Sequence, residues 1–141
     1  MSGFLLDTNL VSELSRDVRK ANPGVLSWVE TADEKAMFLS VITLGEIRKG
    51  IQKVSDAKRR ASLEKFLASL AQRFEDRLLV LDRDVLDCWG RVCGSLERGG
   101  VRVAVIDSLI GATALNHNLT VVSRDVAGFH QMGLSPLNPW S

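Results

Sequence analysis

GFLLDTNLVSEL, residues 3–14, is the stretch on which the reading of the chain turns. An apolar run, Phe4-Leu5-Leu6, stops abruptly at Asp7-Thr8-Asn9, and an amphipathic pattern starts at once. A short continuous apolar run is the mark of a strand buried on both faces. Residues 3–6 therefore predict such a strand, and a helix follows from about Asn9 to Ser15. Asp7, at the junction, has two readings. It caps the helix, or it is the first ligand of a site.

Downstream, the same alternation recurs. Asn22 and Pro23 predict the cap and first position of a helix with Val25, Leu26 and Val29 on its apolar stripe. AMFLSVI, residues 36–42, has strand length, and TLGEIRKGIQKV, residues 43–54, turns helical. From Asp56 to Phe74, the residues Leu63, Phe66, Leu67, Leu70 and Phe74 keep a three-four spacing. RLLVLD (77–82) predicts a strand, 83–99 a helix ended by Gly99-Gly100, and 106–117 a helix rich in small residues. LTVVSRD (119–125) predicts a strand, and the tail LSPLNPW a short edge strand limited by Pro136 and Pro139. Strands alternating with helices imply an α/β domain with a parallel sheet covered on both faces.

The totals agree with one globular domain. A chain of 141 residues falls in the range of roughly 100–200 residues per domain. At 45% hydrophobic and 25% charged, its composition is globular. A net charge of +1 argues against binding nucleic acid by bulk charge, while leaving room for a local basic patch. Cys88 and Cys93 fall on different faces of one predicted helix, so free thiols in a reducing compartment are expected. No leader and no apolar run near 18 residues is visible, which predicts a soluble cytoplasmic protein without a membrane partner. With His117 and His130 alone, histidine chemistry has little to work with; both read as surface or cap residues.

In open parallel sheets, sites form beyond the carboxyl ends of the strands. Four acids fall there. Asp7 follows the first strand, Glu46 lies in the first turn of the helix after the second, Asp107 opens the helix before the last strand, and Asp125 follows that strand. Each has a bland reading. Thr43 and Glu46 fit a capping box, Asp107 complements a helix dipole, and Asp125 before Gly128 suits an Asx-turn. Together they weigh more, because four carboxylates at one edge repel one another by several kcal/mol unless a cation sits between them. Oxygen-only ligands suit Mg²⁺ or Mn²⁺, the apparatus for hydrolysing a phosphodiester.

FLLDTNLVSEL, SVITLGEIRKGI and VIDSLIGATALNHNLTVVSRDVAGF resemble, in order, the three signature blocks of the PIN-domain nucleases, above all the VapC and FitB-like toxins of bacterial type II toxin–antitoxin pairs. The resemblance implies a single PIN domain over residues 1–141, with a central parallel sheet of four to five strands flanked by helices. It places Asp7, Asp107, Asp125 and Glu46 as metal-binding and catalytic acids, with Thr8 and Ser123 as supporting hydroxyls. It further implies Mg²⁺ or Mn²⁺ dependence, endoribonuclease activity on RNA, homodimerisation and neutralisation by a cognate antitoxin. The family often shows a proline upstream of the third acid, where this chain has RVAVID.

RNA needs cations around an acidic centre. Arg48, Lys49 and Lys53 share a helix with Glu46 and are candidates for RNA contact. Lys58-Arg59-Arg60 opposes the dipole of the next helix, so it is placed for something other than helix stability. Trp28 and Trp89 read as core residues at helical spacing. Two other classes compete with the nuclease. A phosphatase with Asp7 as nucleophile wants a second acid where Asn9 stands, and a non-enzymatic interaction module would not need all four acids.

Overall fold

The computed structural model describes residues 2–141. β1 (Phe4–Leu6) runs into α1 (Thr8–Leu14) through Asp7 alone. Then come α2 (Pro23–Thr31), β2 (Met37–Ser40), α3 (Val41–Lys53), α4 (Ala57–Arg73), β3 (Leu78–Leu79), α5 (Arg83–Arg98), α6 (Val105–His117), β4 (Thr120–Val122) and α7 (Ala127–Gln131). The sheet has the order β3-β2-β1-β4 and every pairing is parallel. Of the expected four to five strands, four form. The tail contributes one further bridge, Leu137 beside Val122.

Successive side chains on a strand point to opposite faces, and the two cores obey that rule. Leu6 and Val122 join Leu10, Val25, Leu39, Ile51 and Phe74 on one face. Leu5 and Val121 join Ile110, Ala114 and Phe129 on the other. Leu5 and Leu6 of β1 and Val121 and Val122 of β4 are thus apolar on both faces, each buried Leu or Val stabilising the fold by about 1.5–3 kcal/mol. The small residues of α6 allow close approach: a Cβ added to Gly111 would stand 2.6 Å from the Met132 sulfur. Asn22 caps α2 as predicted, accepting from the Gly24 and Val25 amides. Cys88 and Cys93 are free. Among the described residues, no helix is long and apolar enough to cross a membrane.

Some boundaries differ from expectation. β2 ends at Ser40, whose hydroxyl accepts from the Ile42 amide and caps α3. The helix therefore starts at Val41, not Thr43, and the capping box of Thr43 and Glu46 does not form. Thr43 is an interior, fully buried helical residue, and Glu46 falls in the second turn. β3 is two residues rather than six, as an outer strand has a partner on one side only; Val80 is already 56% exposed. β4 stops at Val122 because the Ser123 hydroxyl turns back to accept from the Asp125 amide.

Candidate active site

Asp7 caps α1, as one reading of its position had it, and it also reaches the end of β4. Its Oδ1 accepts from the Thr8 amide at 2.8 Å, as an N-cap does, and its Oδ2 accepts from the Ser123 hydroxyl at 2.7 Å. Only 4% of the residue is exposed. Burial raises its pKa, the two hydrogen bonds oppose that rise, and the charges of Glu46 and Asp125 add to it. Neither nearby donor is a cation, so the buried carboxylate is hydrogen-bonded but not charge-compensated.

Ser123 is the junction of the last strand with this centre. Besides donating to Asp7, its Oγ accepts from the Asp125 amide and the Asn9 amide group, each at 3.0 Å. The Asn9 side-chain oxygen in turn accepts from the Arg124 amide at 3.4 Å. The strand order makes this junction possible. β1 and β4 are neighbours in register, with Leu6 opposite Val122, so the residues that follow each strand meet.

Glu46 arrives from α3. Its Oε1 accepts from the Thr8 hydroxyl at 2.5 Å, and the Thr43 hydroxyl lies 3.1 Å from the same Thr8 oxygen. A hydroxyl has one proton to give. Thr8 gives its proton to Glu46, so Thr43 must be the donor to Thr8. The chain Thr43 to Thr8 to Glu46 fixes one oxygen of the glutamate and leaves Oε2 without a protein donor among the described residues. Glu46 stands between two clefts. One, of about 220 Å³, also involves Ser12, Ile51, Arg59 and Phe66. The other, of about 310 Å³, is lined with it by Ile42, Gly45, Lys49 and Ile106.

Asp107 lies in the first turn of α6, where Ala104 provides no side-chain cap. It is half-buried, and its pKa is pushed up to about 6, first by burial and then by the charges of Asp7, Asp125 and Glu46. A hydrogen bond with Asp125 favours its protonated form. Asp125 does not cap α7, whose N-cap is Val126 without a side-chain bond. The four predicted acids therefore share one electrostatic centre at the carboxyl edge of the sheet. They do not close into a finished cage. Among the described residues, no group of three His, Cys, Asp or Glu side chains is placed to hold an ion as it stands. The donor set nonetheless fits a hard divalent cation: it is all oxygen, it carries excess negative charge, and Mg²⁺ keeps several waters and takes only one or two carboxylates.

The predicted cations separate. Position 48 is about 200° around the helix from 46, and Arg48 accordingly faces α4, where it pairs with Glu64 at 2.6 Å. Lys49 lies beside Glu46, and Lys53 is exposed in the last turn. Thr43 and Asn9 were missed as supporting residues. Thr43 was hidden because a threonine before a glutamate at that spacing reads as a cap; Asn9 carried no signal besides its place in the Asp7-Thr8-Asn9 turn. Trp89 is anchored by its indole N–H donating to Ser108 at 2.9 Å, and Trp28 packs edge-on against Phe4, as core residues would.

The PIN domain family model matches residues 4–133. Toxin FitB of Neisseria gonorrhoeae is 32% identical over 138 residues, covering 97% of this chain and 98% of that protein. The VapC ribonuclease Y4jK of Sinorhizobium fredii is 32% identical over 140 residues, covering 97% of each. In three dimensions, the crystal structure of FitAcB from Neisseria gonorrhoeae superposes with a TM-score of 0.90 at 32% identity, covering 97% of this chain and 98% of that one. A parallel sheet in this strand order, four acids at its carboxyl edge and full-length similarity of this extent converge: the chain belongs to the PIN domain family.

Proposed function

We propose that residues 1–141 form a metal-dependent endoribonuclease, the toxic component of a type II toxin–antitoxin pair, which hydrolyses RNA phosphodiester bonds as a cytoplasmic homodimer and is neutralised by a cognate antitoxin. The carrying observation is the convergence of Asp7, Glu46, Asp107 and Asp125, with Asp107 held at a pKa of about 6 by burial and its acidic neighbours. Crowding of this kind raises the free energy of the empty site and lowers it when a cation arrives. The similarity to a protein named as a toxin and to one named as a VapC ribonuclease supports the substrate class and the pairing with an antitoxin.

In this reading Asp7, Asp107 and Asp125 hold Mg²⁺ or Mn²⁺, with water completing the shell. The cation supplies charge for the phosphoryl oxygens and lowers the pKa of a nearby water. Ser123 keeps Asp7 oriented by donating to Oδ2. Glu46, held through Oε1 by Thr8, presents Oε2 to take the proton of the attacking water. Lys49, beside Glu46, offers a cation to the substrate backbone. A phosphatase route through Asp7 is disfavoured, since the second acid that such chemistry wants two residues on is replaced by Asn9, whose side chain is engaged by Ser123 and the Arg124 amide.

Purified protein should cut a mixed RNA pool with Mg²⁺ or Mn²⁺, and stop cutting with EDTA or on Asp7→Asn. Cutting that survives in the variant comes from another enzyme, and the absence of metal-dependent cutting by the parent chain counts against the reading.

A further inference from the structure

A cleft of about 380 Å³ opens where the end of α1, the turn before α2 and the loop after β4 meet. Arg16, Arg19, Lys20 and Arg124 line it, with Trp140 and Glu13. Four cations around one cleft is a marked concentration in a chain whose net charge is +1. Only part of that charge is compensated. Glu13 is engaged by the Asn22 amide at 2.8 Å and meets Arg16 at 3.4 Å, and Arg19 pairs with Asp17 at 3.2 Å. The Arg19–Asp17 pair is exposed on both sides and yields readily to a better anion, whereas Glu13 is buried and stays with the Asn22 amide. Lys20 and Arg124 make no ion pair among the described residues.

Arg124 connects this cleft to the acidic centre. It stands between Ser123 and Asp125, and its amide is held by the Asn9 side chain. Consecutive Cα atoms are about 3.8 Å apart, so the cleft begins one residue from two members of the centre. Its guanidinium lies over the Trp140 ring, 5.3 Å from the centroid. A guanidinium pinned on one face by an aromatic ring keeps a planar surface for a nucleobase on the other.

We infer that this cleft binds the single-stranded RNA flanking the cut, with Arg16, Lys20 and Arg124 contacting phosphates and Arg124 stacking a base. The inference rests on the nuclease reading and adds to it the path of the substrate, through a cleft that Lys49 and Lys53 do not line. An acidic protein segment would match the charge but makes no use of the planar Arg124–Trp140 platform. A polynucleotide uses both, and its repeating phosphates reach from this cleft to the carboxylate edge.

The test is fluorescence anisotropy with labelled single-stranded RNA of mixed sequence, titrated at several salt concentrations. The chain with Asp7→Asn is compared with the same chain also carrying Arg16→Gln, Lys20→Gln and Arg124→Gln. All three cations are exposed, so thermal melting should show the fold retained. Affinity is expected to fall at least tenfold. The slope of log affinity against log salt should flatten by about 2, since each phosphate neutralised on a single strand accounts for roughly 0.7 of that slope. Arg124→Lys should keep the slope and lose several-fold in affinity, because it keeps charge and loses the plane. Equal affinity and slope in the triple variant, no RNA binding by the parent, or binding of a polyglutamate peptide in preference to RNA would each overturn the inference. Cleavage by the Asp7-containing chain is read separately. Cutting with an unmoved slope leaves the nuclease reading and removes this cleft; a moved slope without cutting does the reverse.

Discussion

The Thr8 hydroxyl donates to Glu46 Oε1 at 2.5 Å and so ties the junction of β1 and α1 to the second turn of α3. That bond decides which glutamate oxygen is free. Thr8→Val keeps the shape and removes the donor. A hydrogen bond to a charged group contributes about 1.5–3 kcal/mol, so kcat on RNA should fall roughly 10- to 100-fold. KM should change little, and Thr8→Ser should recover most of the rate. A Thr8→Val enzyme with unchanged kcat would mean that Glu46 needs no positioning.

Asp7 separates stability from activity. Asn at this position can still cap α1, and it relieves the repulsion from Glu46 and Asp125. Asp7→Asn should melt at or above the temperature of the parent while losing activity. Asp7→Ala should lose activity too, and also lose about 0.5–2 kcal/mol of stability with the cap. Calorimetric melting of the two variants in EDTA distinguishes them. An Asn variant as unstable as the Ala variant would show that the carboxylate serves the fold rather than a cation.

Asp107 imposes a pH dependence on the metal-free protein. Its carboxyl titrates near 3.8 when unfolded and at about 6 when folded. Between those values the folded state holds the extra proton, so this contribution to stability is complete below 3.8 and is lost as pH rises toward 6. Asp7, raised in the same sense, adds to the slope. Melting in EDTA across this range should show stability falling with pH more steeply in the parent than in Asp107→Asn. With Mn²⁺ present the order changes, because protons then compete with the cation for Asp107. Isothermal titration should find weaker Mn²⁺ binding as pH drops below about 6.

Ser123→Ala should act twice. It removes the donor to a buried carboxylate, at a cost of about 1–3 kcal/mol, and it frees the Asp125 loop, whose amide loses its acceptor. Denaturant unfolding should register the first effect, and lower activity at saturating metal the second. Ser123→Thr keeps the hydroxyl and should preserve both.

Leu5, Leu6, Val121 and Val122 were legible in the sequence because a strand buried on both faces has to be apolar throughout, and Asp7 stood out by interrupting one. The convergence of Asp107 and Asp125 followed from their positions at element ends. Ser40 was not legible as a cap, since Val41 and Ile42 favour strands and tertiary contacts override that preference. The same override hid Thr43. Arg48 illustrates a different limit: charge and proximity in sequence suggested a role beside Glu46, and the helical turn sent it to Glu64. The basic cleft gathers α1, the β4 loop and Trp140, more than a hundred residues apart in the chain, which no local pattern reveals.

The neighbour of β1 in the sheet is β4, the last strand of the chain. During synthesis, residue 7 leaves the ribosome long before residue 123. Until β4 has emerged, Asp7 has no Ser123 to meet and Asp107 no Asp125. A nascent or truncated polypeptide thus carries every acid up to the break and no assembled centre. Translation thus withholds the assembled centre until β4 has emerged, and a stop before that strand leaves the acids without the sheet edge that gathers them.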